Sequence, residues 1–188
     1  MDWNPLTVFV HPEVYFRVAT KPFVLEPGGL EPHAHKTNCR DDENRTPLRV
    51  VLQDLGPGSE DTWRQRTWPK LLDAVRATLL SARDVMCTGE APASPGPRAF
   101  ELFGLDFAID AAWDPWLLEM NTSPSMLEDC QGEYEEELRG WAREATESLL
   151  KLVLANHAGT LKLPSNAELR REPAGPSASN NNSNNNGN

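Results

Sequence analysis

Apolar and polar positions alternate most clearly between residues 100 and 126, FELFGLDFAIDAAWDPWLLEMNTSPSM. Two runs rich in aromatic and branched side chains, 103–109 and 116–120, flank a short polar break that ends in Pro115. That pattern predicts an antiparallel hairpin, with Pro115, which has no N–H to give a ladder, at the turn end of its second strand. A turn centred between Ala112 and Trp113 pairs Asp106 with Glu119 and Gly104 with Asn121. Side chains alternate faces along a strand, so Asp106, Glu119 and Asn121 then share one face. Leu105, Phe107, Ile109, Trp116, Leu118 and Met120 are expected to line the other. A one-residue slip would separate the carboxylates.

Elsewhere the pattern is weaker. Residues 6–11 and 14–19 read as a second hairpin turning at Pro12-Glu13, and residues 21–31 are broken by Pro22, Pro27, Gly28 and Gly29. Residues 41–58 read mostly as loop around Val50, Val51 and Leu52. A helix is expected from about Trp63, because Trp68, Leu72, Val75, Leu79 and Met86 recur at three-, four- and seven-residue steps. Residues 91–97, rich in Pro, Ala and Ser, read as a linker. A last helix over 133–156 carries Tyr134, Leu138, Trp141, Ala145, Leu149 and Leu152 on one face. Beyond it, residues 161–188 turn polar and end in an Asn-rich run too poor in apolar residues to fold, so a disordered tail is expected. The fold class is thus α+β, antiparallel hairpins packed with helices, in one domain over 1–160.

Two like charges facing each other in a sheet destabilise it, and burial adds a desolvation cost. A single Asp in a strand more often lies at a solvated edge or beside an Arg. A facing pair with an amide alongside favours a hard divalent cation, since Mg²⁺ takes one or two carboxylates together with phosphate oxygens. Asp106, Glu119 and Asn121 are therefore the candidate Mg²⁺ ligands.

Composition narrows the class. The formal net charge of −10 argues against a nucleic-acid surface. Arg64, Arg66 and Lys70 form a local basic run, read as a solvated helix face. Three cysteines, Cys39, Cys87 and Cys130, match no zinc or disulfide spacing and read as reduced thiols. No signal core or membrane-length apolar stretch is present, so no membrane partner is expected and a cytoplasmic location is.

The hairpin residues Gly104, Asp106, Trp116, Leu117, Glu119, Asn121 and Pro124 closely resemble the Mg·ATP-binding hairpin of the tubulin tyrosine ligase-like family, a branch of the ATP-grasp ligases. The resemblance implies the C-terminal part of an ATP-grasp fold, ATP and Mg²⁺ as cofactors, and metal ligation by Asp106, Glu119 and Asn121. WNPLTVFVHPEVYFRVATKPF, residues 3–23, is similar to a family segment whose arginine grips the carboxylate of the incoming amino acid. That role falls on Arg17, which on its own would read as a surface residue, and a guanidinium fork suits it. HAHKTN, residues 33–38, matches the family's H-x-T-N and implies nucleotide or substrate contacts for His35, Thr37 and Asn38. Lys36 and Cys39 depart from the family's usual apolar and aromatic residues.

The family's preceding half, with its phosphate lysines, adenine pocket and K-F-D-x-R strand, is not found here, and no glycine-rich phosphate loop replaces it. A fragment, a truncated gene product or a degenerate paralogue is therefore expected. The implied function is ATP-dependent ligation of an amino acid to a protein carboxylate through an acyl phosphate, with tubulin as acceptor. The donor is glutamate, glycine or tyrosine, and the NTSPS turn inclines the reading toward glutamate. The implied location is the cytoplasm, at the cytoskeleton or cilium. The rival reading is a ligase-derived protein that binds tubulin without turnover.

Overall fold

Each predicted apolar run needs a surface to cover it, and the computed structural model shows which runs meet. It describes residues 7–25, 31–35, 37, 45–86, 100–127 and 131–162. The Asn-rich tail, the linker at 91–97 and Asn38 lie outside the described residues. In chain order the elements are β1 (Tyr15–Arg17), α1 (Pro32–His35), β2 (Arg45–Pro47), α2 (Leu48–Leu55) and α3 (Ser59–Thr62). A π-helical turn (Trp63–Thr67), α4 (Trp68–Met86), β3 (Phe103–Ile109), β4 (Pro115–Thr122) and α5 (Glu135–His157) complete the order. Among the described residues the architecture is mixed, with two small antiparallel sheets, β1–β2 and β3–β4, laid against helices.

Among the described residues, the expected hairpin of 6–11 with 14–19 does not form. β1 pairs instead with β2, Tyr15 opposite Pro47 and Arg17 opposite Arg45, and the Leu48 N–H extends the pairing to the Val14 carbonyl at 3.0 Å. Pro12 cannot donate to a ladder, and Val8, Phe9 and Val10 stay about 40% exposed, so the upstream run gains little by folding back. The Arg45 guanidinium lies 6.0 Å from the Tyr15 ring centroid, an attraction that a return by residues 6–11 would lack.

Residues 41–58 are also more ordered than expected. Leu48, Val51, Leu52 and Leu55 follow three- and four-residue steps, and their helix buries Leu52. Gly56 and Gly58, both at φ +86°, end it and turn the chain into α3, a conformation cheap only for glycine. The buried Ser59 hydroxyl donates to the Leu52 carbonyl at 2.6 Å and staples the two helices together.

The long helix therefore begins at Ser59 rather than Trp63, and it contains a wide turn. Trp63, Leu71, Val75 and Leu79 are buried in four-residue steps, with Thr67 fully buried among them. The expected stripe through Trp68 and Leu72 is displaced, since both are only half-buried, because a π turn adds a residue and rotates the phase of the downstream helix. Leu52, Trp63, Leu71, Val75 and Leu79 form the main core, packed against Phe16, Phe103, Leu105, Phe107, Ile109, Trp113 and Met120. A second cluster joins Leu127 and Leu138 to Tyr15, Tyr134, Trp141 and Ala142. The α5 stripe runs as predicted, with none of its six residues exposed. Three glutamates in its first turn, Glu135, Glu136 and Glu137, suit the positive end of the helix dipole.

Candidate functional site

The site is built on the β3–β4 hairpin, whose tip is unusually well tied. Asp110 accepts the amide N–H groups of Ala112 and Asp114 on Oδ1, both at 2.9 Å, and the Trp116 indole N–H on Oδ2 at 2.9 Å. These bonds hold its carboxyl below the usual range, the indole contributing most. Trp113 closes the turn at φ +65°, its N–H on the Asp110 carbonyl at 2.9 Å. Arg66 Nε at 3.3 Å and Lys70 Nζ both bond Asp114 Oδ1, and Arg64 pairs with Asp61 at 2.8 Å. The basic run of the long helix is thus spent on neighbouring acids, in keeping with a structural reading.

From the tip inward, Ile109 pairs with Pro115, Ala108 with Trp116 and Phe107 with Leu117. A β-bulge then takes up Leu118, after which Asp106 pairs with Glu119 and Gly104 with Asn121. The carboxylates therefore face each other as expected, but by a different route. The turn alone sets a register that would send Glu119 to the core face, and the bulge returns it to the face of Asp106. The bulge also corrects the apolar face. Leu117 takes the inward place, while Trp116 and Leu118 are 62% and 68% exposed on the carboxylate side.

Asn121 Nδ2 donates to Asp106 Oδ2 at 3.2 Å and to Glu119 Oε1 at 3.0 Å, so one amide spans both carboxylates. Burial first, and then the hydrogen bond to Glu119, raises the Asp106 carboxyl above its ordinary value. The amide of Asn121 and the Asp106 hydrogen bond lower Glu119. Of the two acids, Asp106 is therefore the one whose neutral form the site favours. The Arg17 charge favours the ionised form of both acids. The structure therefore brings together Asp106, Glu119 and Asn121, with the charge of Arg17 acting on both acids.

Among the described residues no cluster of three or more His, Cys, Asp or Glu side chains forms. Two carboxylates and one amide make an all-oxygen set once the amide is turned to present Oδ1, and this suits Mg²⁺ completed by phosphate oxygens. The donors fit that cation. Gly104 supports them from below, since a Cβ there would lie 2.7 Å from Pro124 Cβ, so the turn after Asn121 seats directly on the strand carrying Asp106.

Of the H-x-T-N residues, His35 and Thr37 are described and Asn38 is not. His35 ends α1, its ring edge-on to Phe23 at 4.8 Å and its buried Nε2 without a hydrogen bond. Thr37 is exposed. The sequence reading passed over Asp110, Thr67 and Asp114. An Asp four residues before another, across a short turn, was the available signal for the first; the partnership with Thr67 depends on a helix phase that periodicity alone does not give.

Comparison with known proteins finds tubulin-modifying relatives. The chain is 32% identical over 66% of its length to the protein monoglycylase TTLL8 of Mus musculus and 31% identical over 66% to the tubulin monoglycylase TTLL3 of Homo sapiens. It is 30% identical over 68% to the probable tubulin polyglutamylase TTLL2 of Homo sapiens. These alignments span 16%, 17% and 22% of the respective relatives, so the chain corresponds to a small part of each. No solved structure matches it. Residues 1–138, which include every candidate site residue, match the model of the tubulin-tyrosine ligase family, to which this chain belongs.

Proposed function

We propose that this chain carries the metal–phosphate and donor-carboxylate elements of an ATP-grasp ligase that joins an amino acid to a side-chain carboxylate of tubulin. The observation that carries the reading is the facing pair Asp106 and Glu119, spanned by the Asn121 amide and lying within the field of Arg17. Mg²⁺ held by Asp106, Glu119 and Asn121 supplies charge neutralisation to the phosphates of ATP, on which phosphoryl transfer chiefly depends. Arg17 anchors the carboxylate of the donor amino acid through its guanidinium fork. The acceptor carboxylate takes the γ-phosphoryl group of ATP and releases ADP, and the donor's amino group then displaces phosphate from the acyl phosphate, with no covalent enzyme nucleophile. His35, Thr37 and Asn38 contact nucleotide or substrate.

The relatives' names supply both glycine and glutamate as donors, so the preference for glutamate inclined by the NTSPS turn is tested against glycine. The proposed setting is the cytoplasm, on microtubules. Calorimetric titration of ATP with Mg²⁺ tests the site directly. Metal-dependent binding that disappears in an Asp106→Asn/Glu119→Gln variant supports the reading, and a folded protein without such binding refutes it. Incorporation of labelled glycine or glutamate into tubulin then identifies the donor. Tubulin binding that is indifferent to the double variant and unaccompanied by transfer would favour the non-catalytic alternative.

A further inference from the structure

We infer that the π-helical turn Trp63–Thr67 is a positioning element that seats the carboxylate hairpin against the strand bearing Arg17. This rests on the proposed reading of those residues as the phosphate and donor anchors. A π turn leaves the regular hydrogen-bond ladder and persists only where its surroundings compensate. Here the compensation comes from both halves of the site. At the start of the turn, the buried Trp63 ring lies 5.9 Å from Phe16 at 66°, next in sequence to Arg17. At its end, the fully buried Thr67 donates its hydroxyl to the Trp113 carbonyl at 2.8 Å, in the hairpin tip. Arg66 and Lys70 then hold Asp114, the next residue of the tip.

The tip is where such a contact has leverage. Trp113 and Asp114 fix the offset at which β4 leaves the turn, and the Leu118 bulge converts that offset into the pairing of Asp106 with Glu119. Strand faces invert with every one-residue step, so any loosening at the tip is felt at the carboxylates. Thr67 touches neither nucleotide nor metal; it acts through the hairpin, as a positioning residue.

Two substitutions separate positioning from plain core packing. Thr67→Val keeps the buried shape and removes the hydroxyl, leaving the Trp113 carbonyl unsatisfied. Thr67→Ser keeps the hydroxyl and removes a methyl. If the inference holds, Thr67→Val binds Mg·ATP about tenfold more weakly, the scale of one net hydrogen bond. Thr67→Ser then binds as wild type even though it melts lower. Affinities that follow melting temperature in both variants, or that change in neither, overturn it. Amide hydrogen exchange without nucleotide provides a second arm, in which Thr67→Val accelerates exchange around Asp106 and Glu119 and Thr67→Ser does not. If wild type fails to bind Mg·ATP, the proposed function falls and this arm alone decides the positioning role. Equal exchange in all three proteins would refute it.

Discussion

At Gly104 a single hydrogen atom decides whether the site can close. The 2.7 Å approach that a Cβ would make to Pro124 Cβ is shorter than real contacts allow, and both partners are held by backbone rather than by flexible side chains. Gly104→Ala should therefore destabilise the protein by about 1–3 kcal/mol, the usual cost of overpacking, as read by denaturant melts. Pro124→Gly on that background should recover part of the loss. Full stability in Gly104→Ala would show that the turn is free to lift.

Asp106 gives a pH signature with a definite sign. Its carboxyl is raised on folding, chiefly by burial, so the folded state binds that proton more tightly than the unfolded chain. The stability it contributes is full below the ordinary Asp value of about 3.9 and is lost as pH rises through the folded value. At neutral pH the ionised Asp106 is thus a liability, tolerated for its chemistry. Asp106→Asn should raise the melting temperature of the ligand-free protein at pH 7, and the gain should shrink as the pH is lowered toward the ordinary range. Thermal melts across pH check this; a variant less stable than wild type at pH 7 would mean that the Arg17 attraction outweighs burial.

Among the elements, legibility followed locality. The β3–β4 hairpin and the α5 stripe could be read from the chain because their periods are intact over many residues. The facing of Asp106 and Glu119 was legible too, although the bulge was not, because the tip register and the bulge shift by one residue each and their effects on these carboxylates cancel. Their effects on Trp116 and Leu118 do not cancel, and there the reading failed. β1 was assigned a partner next to it in sequence, whereas its actual partner β2 lies some thirty residues downstream, a pairing that no local pattern encodes. α5 permits a contrast at this scale. Leu138 is 1% exposed and Leu154 66%, so Leu138→Ala should cost about 2–5 kcal/mol in a denaturant melt and Leu154→Ala close to nothing. Comparable losses would mean that the far end of α5 is covered by something beyond Leu127, Tyr134 and Trp141.

In the whole molecule, the two apolar clusters meet through β1. Tyr15 packs in the cluster of Leu127 and Leu138, while Phe16, on the opposite face of the same strand, packs in the main core with Trp63. The candidate site belongs to the main core alone, because Phe103, Leu105, Phe107 and Met120 pack against it beneath the carboxylates. Ligand binding stabilises only what the bound state requires folded, by about 2.7 kcal/mol at a hundredfold excess over Kd. Saturating Mg·ATP should therefore slow amide exchange throughout β3, β4 and the helix from Ser59 to Leu79. Residues 145–157 of α5 carry Leu150 and Leu154 largely exposed and, among the described residues, pack on neither cluster, so exchange there should be unchanged. Protection that spreads equally to this end of α5 would show that the two clusters unfold as one unit and that β1 transmits the whole of the binding energy between them.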